Sequence, residues 1–144
     1  MGSMRISVAE TFLRYFNVAY AASDEAKRAV YAIRYSVYCD EFGYEPKEAF
    51  PDREEKDEFD LHSHHALIIH KSSGTPAGCV RLVKPPGEGM LPFEQFCSQS
   101  LDHKAIEELA IPRGSVCEIS RLAVDGAFRR RPVSTHAISR WRSS

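Results

Sequence analysis

From residue 6 to residue 20 the apolar positions Val8, Phe12, Phe16 and Ala19 fall close to helical spacing, which predicts a helix there. Ser23-Asp24-Glu25 then supplies a cap and early acids for a second helix. In it Ala26, Val30, Ile33 and Val37 recur at intervals of three and four, one stripe to be buried. Arg34 and Tyr38 stand four apart beside that stripe and share a face. Gly43 is expected to end the helix. Residues 44–60 set Pro46 and Pro51 among acids and read as a loop lying across the mouth of a pocket.

The period then changes to two. Residues 65–70 form a short apolar run, Ser72-Ser73-Gly74-Thr75-Pro76 is turn chemistry, and residues 77–84 are the return strand of a hairpin. Alternation puts Cys79, Arg81 and Val83 on one face and Gly78, Val80 and Leu82 on the other. Residues 85–89 break the chain, and Leu91 to Phe96 opens a short apolar segment. Residues 102–110 predict a helix with Ser100 near its cap and Ala105, Ile106 and Leu109 facing inward. Residues 115–124 are the strongest strand pattern. There Glu118 and Ser120 share one face and Arg121 takes the other, unless a bulge re-aims it.

A chain of 144 residues is about one domain, with the apolar and charged fractions of a folded protein. The net charge of -1 conceals an asymmetry: ten acids against three bases in residues 40–60, and seven arginines against two acids from residue 113 onward. The basic end reads either as a site for phosphates or an acidic partner, or simply as a solvated terminus. Cys39, Cys79, Cys97 and Cys117 form no C-x-x-C pair, and no signal peptide precedes them. They are expected as small core residues of a reduced, cytoplasmic protein. No apolar run reaches the roughly 20 residues a membrane span needs. Residues 1–3 look like an expression remnant, and Met4 is a plausible start.

The candidate chemistry centres on Glu55-Lys56-Asp57-Glu58-Phe59-Asp60. Arg34, Arg81 and Arg121 each stand at the edge of an apolar segment, so a fold that converges them on this strip builds a polar pocket. The plainer alternative is a solvated charged loop. Glu118 and Arg121 sit inside an apolar strand and need partners, since an unpaired buried charge costs several kcal/mol. An ion-pair network with the acids at 55–60 supplies those partners, either as a functional site or as a structural salt bridge. His62 and His64 fall together by alternation without a third ligand, so no metal is expected. Phe93 and Phe96 read either as lining for an acyl chain or as core. No dinucleotide fingerprint, P-loop or nucleic-acid signature is present.

Arg34-x-x-x-Tyr38, Glu41-Phe42-Gly43-Tyr44, Glu55-x-Asp57-x-x-Asp60, Gly78-x-x-Arg81-Leu82 and Glu118-x-Ser120-Arg121 occur in this order. The series resembles the acyl-homoserine-lactone synthases and long-chain N-acyl amino acid synthases of the GNAT acyltransferase superfamily. Tyr35-Ser36-Val37-Tyr38-Cys39, Pro51-Asp52, His62 to Leu67 and Phe128-Arg129-Arg130-Arg131 resemble the acyltransferases associated with PEP-CTERM/exosortase systems. The resemblance spans residues 31–131. It implies an α/β (α+β) fold: a mixed, largely antiparallel central sheet flanked by helices. It further implies an amine or amino acid acceptor and an acyl thioester of coenzyme A or acyl carrier protein as donor, with no permanently bound cofactor. Arg34, Tyr38, Asp57, Asp60, Arg81, Ser120 and Arg121 would hold the acceptor, and Glu118 or Glu55 would take its proton. The donor would lie along Leu122 and Val124, whose strand offers N–H groups to the oxyanion, and against Arg129 and Arg130.

Two departures shape the expectation. Tyr44 stands where homoserine-lactone synthases typically have Trp, and the acids come about two residues later, which disfavours S-adenosylmethionine as acceptor. No glycine-rich pyrophosphate turn follows Arg131. The expected arrangement is therefore residues 4–131 as the N-terminal part of an acyltransferase domain, truncated after its fourth core strand, with a loose tail over 132–144. Half of such a sheet exposes an edge, so a homodimer or another partner would cover it. The competing reading from a different class is a catalytically incomplete fragment acting as a binding or dimerisation module.

Overall fold

The computed structural model describes residues 7–84, 87 and 89–129. Four antiparallel strands make one sheet in the order β1-β2-β3-β4: β1 (Phe16–Tyr20), β2 (Ser63–His70), β3 (Pro76–Val83) and β4 (Glu118–Val124). Helices flank it: α1 (Val8–Tyr15), α2 (Asp24–Tyr35), α3 (Pro92–Cys97) and α4 (His103–Leu109). The expected α/β class with a largely antiparallel sheet is what is observed. The expectations for Arg130, Arg131, the first three residues and a tail over 132–144 lie outside the described residues, as does most of the break at 85–89.

The long first helix is a correction. Its pattern splits, with α1 ending at Tyr15 and β1 beginning at Phe16. A capping box from Ser7 and Glu10 starts α1. Phe16-Asn17-Val18-Ala19-Tyr20 then pairs residue by residue with His70 back to Ala66. Aromatic and β-branched residues suit a strand, and five ladder positions outweigh a helical period that buries nothing on its own.

α2 follows its pattern. Ser23 accepts the Ala26 N–H and caps it, and Val30, Ile33 and Val37 are buried against Leu67, Cys79 and Ala123. The helix does not stop at Tyr35. It widens into a π turn, Ser36–Glu41, and the chain leaves through Gly43 at φ 64°. A π turn inserts an extra residue per turn and rotates the side chains that follow. Here it keeps Val37 and Cys39 buried while Tyr38 reaches β4, donating its hydroxyl to the Leu122 carbonyl at 2.8 Å.

The excursion between β3 and β4 departs from its pattern. Asp102, not Ser100, caps α4 by accepting the Ala105 N–H. Ile106 and Leu109, expected inward, are 50% and 66% exposed. Among the described residues no helix or strand packs extensively against this seven-residue helix, so its apolar stripe is left largely uncovered. Strand β4 is shorter than the pattern, because Arg113–Ser115 forms a 3-10 turn before it. Of the four cysteines, Cys39 and Cys79 are core residues, whereas Cys97 and Cys117 are exposed.

Two backbone details aim the site. At Gly78 a Cβ would meet the Ala123 carbonyl oxygen at 2.8 Å, so glycine lets β3 and β4 approach. Two residues on, the β3–β4 register slips between Cys79 and Arg81, and Arg121 takes φ 51°. That is a β-bulge with a non-glycine residue in the left-handed region.

Candidate active site

The loop over residues 44–60 contributes Glu45, Asp57, Glu58 and Phe59 to the wall of an open recess, and at Glu55 it turns inward. The Glu55 N–H donates to the Tyr31 carbonyl of α2 at 3.1 Å, and the Glu55 side chain is 1% exposed. Asp57 begins a short 3-10 turn, Glu58–His62, through a reciprocal box. It accepts the Phe59 N–H, and Asp60 returns a carboxylate oxygen to the Asp57 N–H at 2.8 Å. Local hydrogen bonding therefore orients both aspartates independently of their tertiary contacts.

Three guanidiniums meet these acids. Arg34 donates Nε to Glu55 and Nη1 to Asp60 at 2.7 Å, with its side chain fully buried. Arg81, 1% exposed, donates Nη1 to Asp57 at 2.5 Å and Asp60 at 3.0 Å, and Nε to Ser120 Oγ at 3.1 Å. Arg121 donates Nε to Glu55 at 3.2 Å, and its Nη2 lies 3.2 Å from Asp57 and 3.6 Å from Glu45. Plain alternation sends Arg121 to the other face of the sheet. The bulge brings it round beside Ser120, and the left-handed residue is the local cost of that aim.

The electrostatics favour the charged forms of Arg34 and Asp60. Burial alone would lower the pKa of Arg34, but the hydrogen bonds to Glu55 and Asp60 outweigh it and raise it. Burial likewise pushes the Asp60 carboxyl upward, and the hydrogen bond and charge of Arg34 pull it below its ordinary value. His65 is 1% exposed, edge-on to Tyr31, with Nε2 3.6 Å from Asp60. Burial lowers its pKa, so the ring is neutral and this contact is a close approach, not an ion pair. Cys79, beneath the cluster, has its thiol pushed up to about 12 by burial.

Glu118 is a correction. It does not close the ion-pair network: its Oε2 accepts the Phe93 N–H at 2.8 Å and ties β4 to the start of α3. Glu55 is sealed between Arg34 and Arg121. Leu122 meets Tyr38 through its carbonyl while its side chain is 65% exposed, and Val124 pairs with Gly78. Arg129 pairs with Glu41 and stacks on the Phe42 ring, away from the cluster. His62 lies in the 3-10 turn and His64 bonds Tyr20, so the two are not a pair. Among the described residues no three His, Cys, Asp or Glu side chains gather as metal ligands.

Beside the cluster a recess of about 600 Å³ opens to solvent, lined by Glu45, Asp57, Glu58, Phe59, Phe96 and Arg121. Phe96, 72% exposed, meets Phe59 edge-on with ring centroids 6.2 Å apart. Sequence reasoning missed Glu45. A signal was its place directly after the Phe42-Gly43-Tyr44 run, where the Glu45 N–H reaches the Tyr38 carbonyl. Buried arginines, acids and an open recess at the last strand form a constellation able to orient a charged small molecule at a sheet edge.

A family model described as an acetyltransferase (GNAT) domain matches residues 33–139, more than half of the chain. The chain belongs to that family. The GNAT match begins one residue before Arg34, so every member of the ion cluster falls inside it. It supports acyl transfer to nitrogen in general as the activity of this fold. No curated protein and no solved structure matches the chain significantly.

Proposed function

We propose that this GNAT domain is an N-acyltransferase that moves a fatty acyl group from an acyl thioester to an amine held in the recess beside Arg121. The observation that carries the reading is the recess itself, set against the buried Arg34–Arg81–Arg121 cluster inside the family match. The motif order further favours the exosortase-associated relatives of the homoserine-lactone synthases, with coenzyme A or acyl carrier protein carrying the donor.

The chemistry asks for a neutral amine, because an ammonium has no lone pair to attack with. The amine nitrogen attacks the thioester carbonyl and the C–N bond forms; the C–S bond then breaks, and the proton that the nitrogen sheds on becoming an amide ends on the departing thiolate. Glu118, on the same face of β4 as Ser120 but outside the recess lining, is assigned the proton of the incoming ammonium, relayed through water. The Phe93 N–H fixes the orientation of its carboxylate. Glu55, engaged by two guanidiniums and sealed from solvent, is assigned to holding Arg34 and Arg121 in place. β4 pairs on one side with β3, and backbone N–H groups on its other edge, near Leu122 and Val124, are assigned to the oxyanion. Arg34, Asp60 and Arg81 act as the rigid floor, with Asp57 and Arg121 at the surface the acceptor touches.

Mass spectrometry of the chain incubated with octanoyl-coenzyme A and a panel of amines tests the proposal. The expected result is one N-octanoyl product and one free thiol per turnover, with at least about a hundredfold loss in Glu118→Gln. Thioester that persists, with no acylated amine from any member of the panel, overturns it.

A further inference from the structure

Among the described residues the recess carries an excess of negative charge, and the guanidiniums in the recess and in the adjoining cluster are already engaged. Arg34 faces Glu55 and Asp60, Arg81 faces Asp57 and Asp60, and Arg121 faces Glu55, Asp57 and Glu45. Three guanidiniums thus stand against those four carboxylates, and Glu58 adds a fifth on the recess wall. Two of the five are the least committed. Among the described residues Glu58 accepts only from the neutral amide of Gln95, at 3.1 Å, and Glu45 has Arg121 no nearer than 3.6 Å. Arg121 is, among the described residues, the one cation that lines the recess.

We propose that the acceptor is a diamine without a carboxylate. This rests on the acyltransferase reading above and names the substrate class of its site. Among the described residues an acceptor carboxylate would find no uncommitted guanidinium in the recess, and it would face Glu45, Asp57 and Glu58. A plain monoamine loses its only positive charge when it becomes nucleophilic, so nothing then holds it against those acids. A diamine resolves both difficulties. One nitrogen stays protonated between Glu45 and Glu58, and the other gives up its proton and attacks. The methylene chain lies along Phe59 and Phe96, whose rings supply hydrocarbon contact and a favourable face for the ammonium. The products are a mono-acylated diamine that keeps one ammonium, and the free thiol.

The test uses three probes that differ by one group: 1,5-diaminopentane, lysine (the same skeleton with a carboxylate) and 1-aminopentane (the same skeleton with one nitrogen). The full chain is assayed with octanoyl-coenzyme A, and each probe is also titrated calorimetrically without donor. The diamine is expected to exceed both others in kcat/KM by about five- to tenfold, the scale of one unfavourable or missing charge contact at a partly exposed site. Glu45→Gln with Glu58→Gln is expected to shrink that ratio toward one. Turnover with lysine equal to or above the diamine overturns the inference and leaves the acyltransferase reading standing. If no amine is acylated, calorimetry decides. Diamine binding tighter than lysine, lost in the double variant, sustains the inference while the activity is withdrawn. Equal or absent binding of the two overturns it.

Discussion

The two faces of the sheet have different characters: the buried one joins an apolar core to a cluster of ions, and the other leaves hydrocarbon uncovered. The face toward α2 begins with Leu67, Cys79 and Ala123 and ends in ions. Arg34, Arg81 and Glu55 are at most 1% exposed. The other face is largely hydrocarbon and open. Val18, Tyr20 and Ile119 are 56%, 62% and 73% exposed, and they border a recess of about 420 Å³ with Ala66, Val80 and Leu82. Burial here follows partnership as well as hydropathy. A charge enters the interior when every guanidinium finds carboxylates, and an apolar side chain stays outside when no element covers it.

Breaking the charged face should have the largest effect. Arg34→Ala leaves Glu55 and Asp60 facing each other without their common cation. The expected loss is about 3–5 kcal/mol, the usual result of removing one partner from a buried pair. Urea unfolding measures it, and a loss near zero would mean that the pair contributes no stability. Asp57→Ala comes next, because it removes a turn cap and a contact to Arg81 and Arg121 at a site that is one-quarter exposed. About 1–3 kcal/mol is expected from the same measurement.

Acid sharpens the contrast further. The folded pKa of His65 lies below its ordinary value of about 6.5. As pH falls through that value the unfolded chain binds a proton that the folded chain does not, so stability declines toward the folded pKa. Asp60 behaves as a depressed carboxylate, and the stability it contributes is lost below about pH 4. His65→Gln should flatten the first decline, seen as denaturation midpoints between pH 7 and 5, and leave the second. An unchanged slope would remove His65 from the account. On the open face Ile119→Thr should move stability by no more than about 0.5 kcal/mol. The smallest perturbation is chemical labelling of the native protein. Cys97 and Cys117 should react with iodoacetamide, while Cys39 and Cys79 react only on unfolding. Rapid loss of the Cys79 thiol in native buffer would contradict the packing beneath the cluster.

Much of the fold was legible because local rules and tertiary packing agree there. The stripe of Val30, Ile33 and Val37 became the buried face of α2, and the 72–76 turn joined two paired strands. Legibility failed where they disagree. Val8, Phe12 and Phe16 read as one helix because the strand period of 16–20 is visible only once β2 lies beside it. Ile106 and Leu109 have a helical spacing that no partner uses. In the cluster, the three arginines and the acids at 55–60 could be marked from their positions against apolar segments, but the placement of Glu118 could not. Its carboxylate is claimed by the Phe93 N–H, which is not near it in sequence.

The class of fold was read from the order of motifs shared with a known family. The order of charged and apolar residues was enough to determine the helix that carries Arg34 and to mark the side chains that needed polar partners, since an unpaired buried charge is too costly to persist. Which partner each one took was decided in three dimensions. The slip between β3 and β4 turned Arg121 through the sheet, and the π turn carried Tyr38 to the carbonyl of Leu122. Both depend on how two segments distant in the chain fit against each other, and a side-chain period of two or 3.6 residues holds no information about a residue that interrupts it.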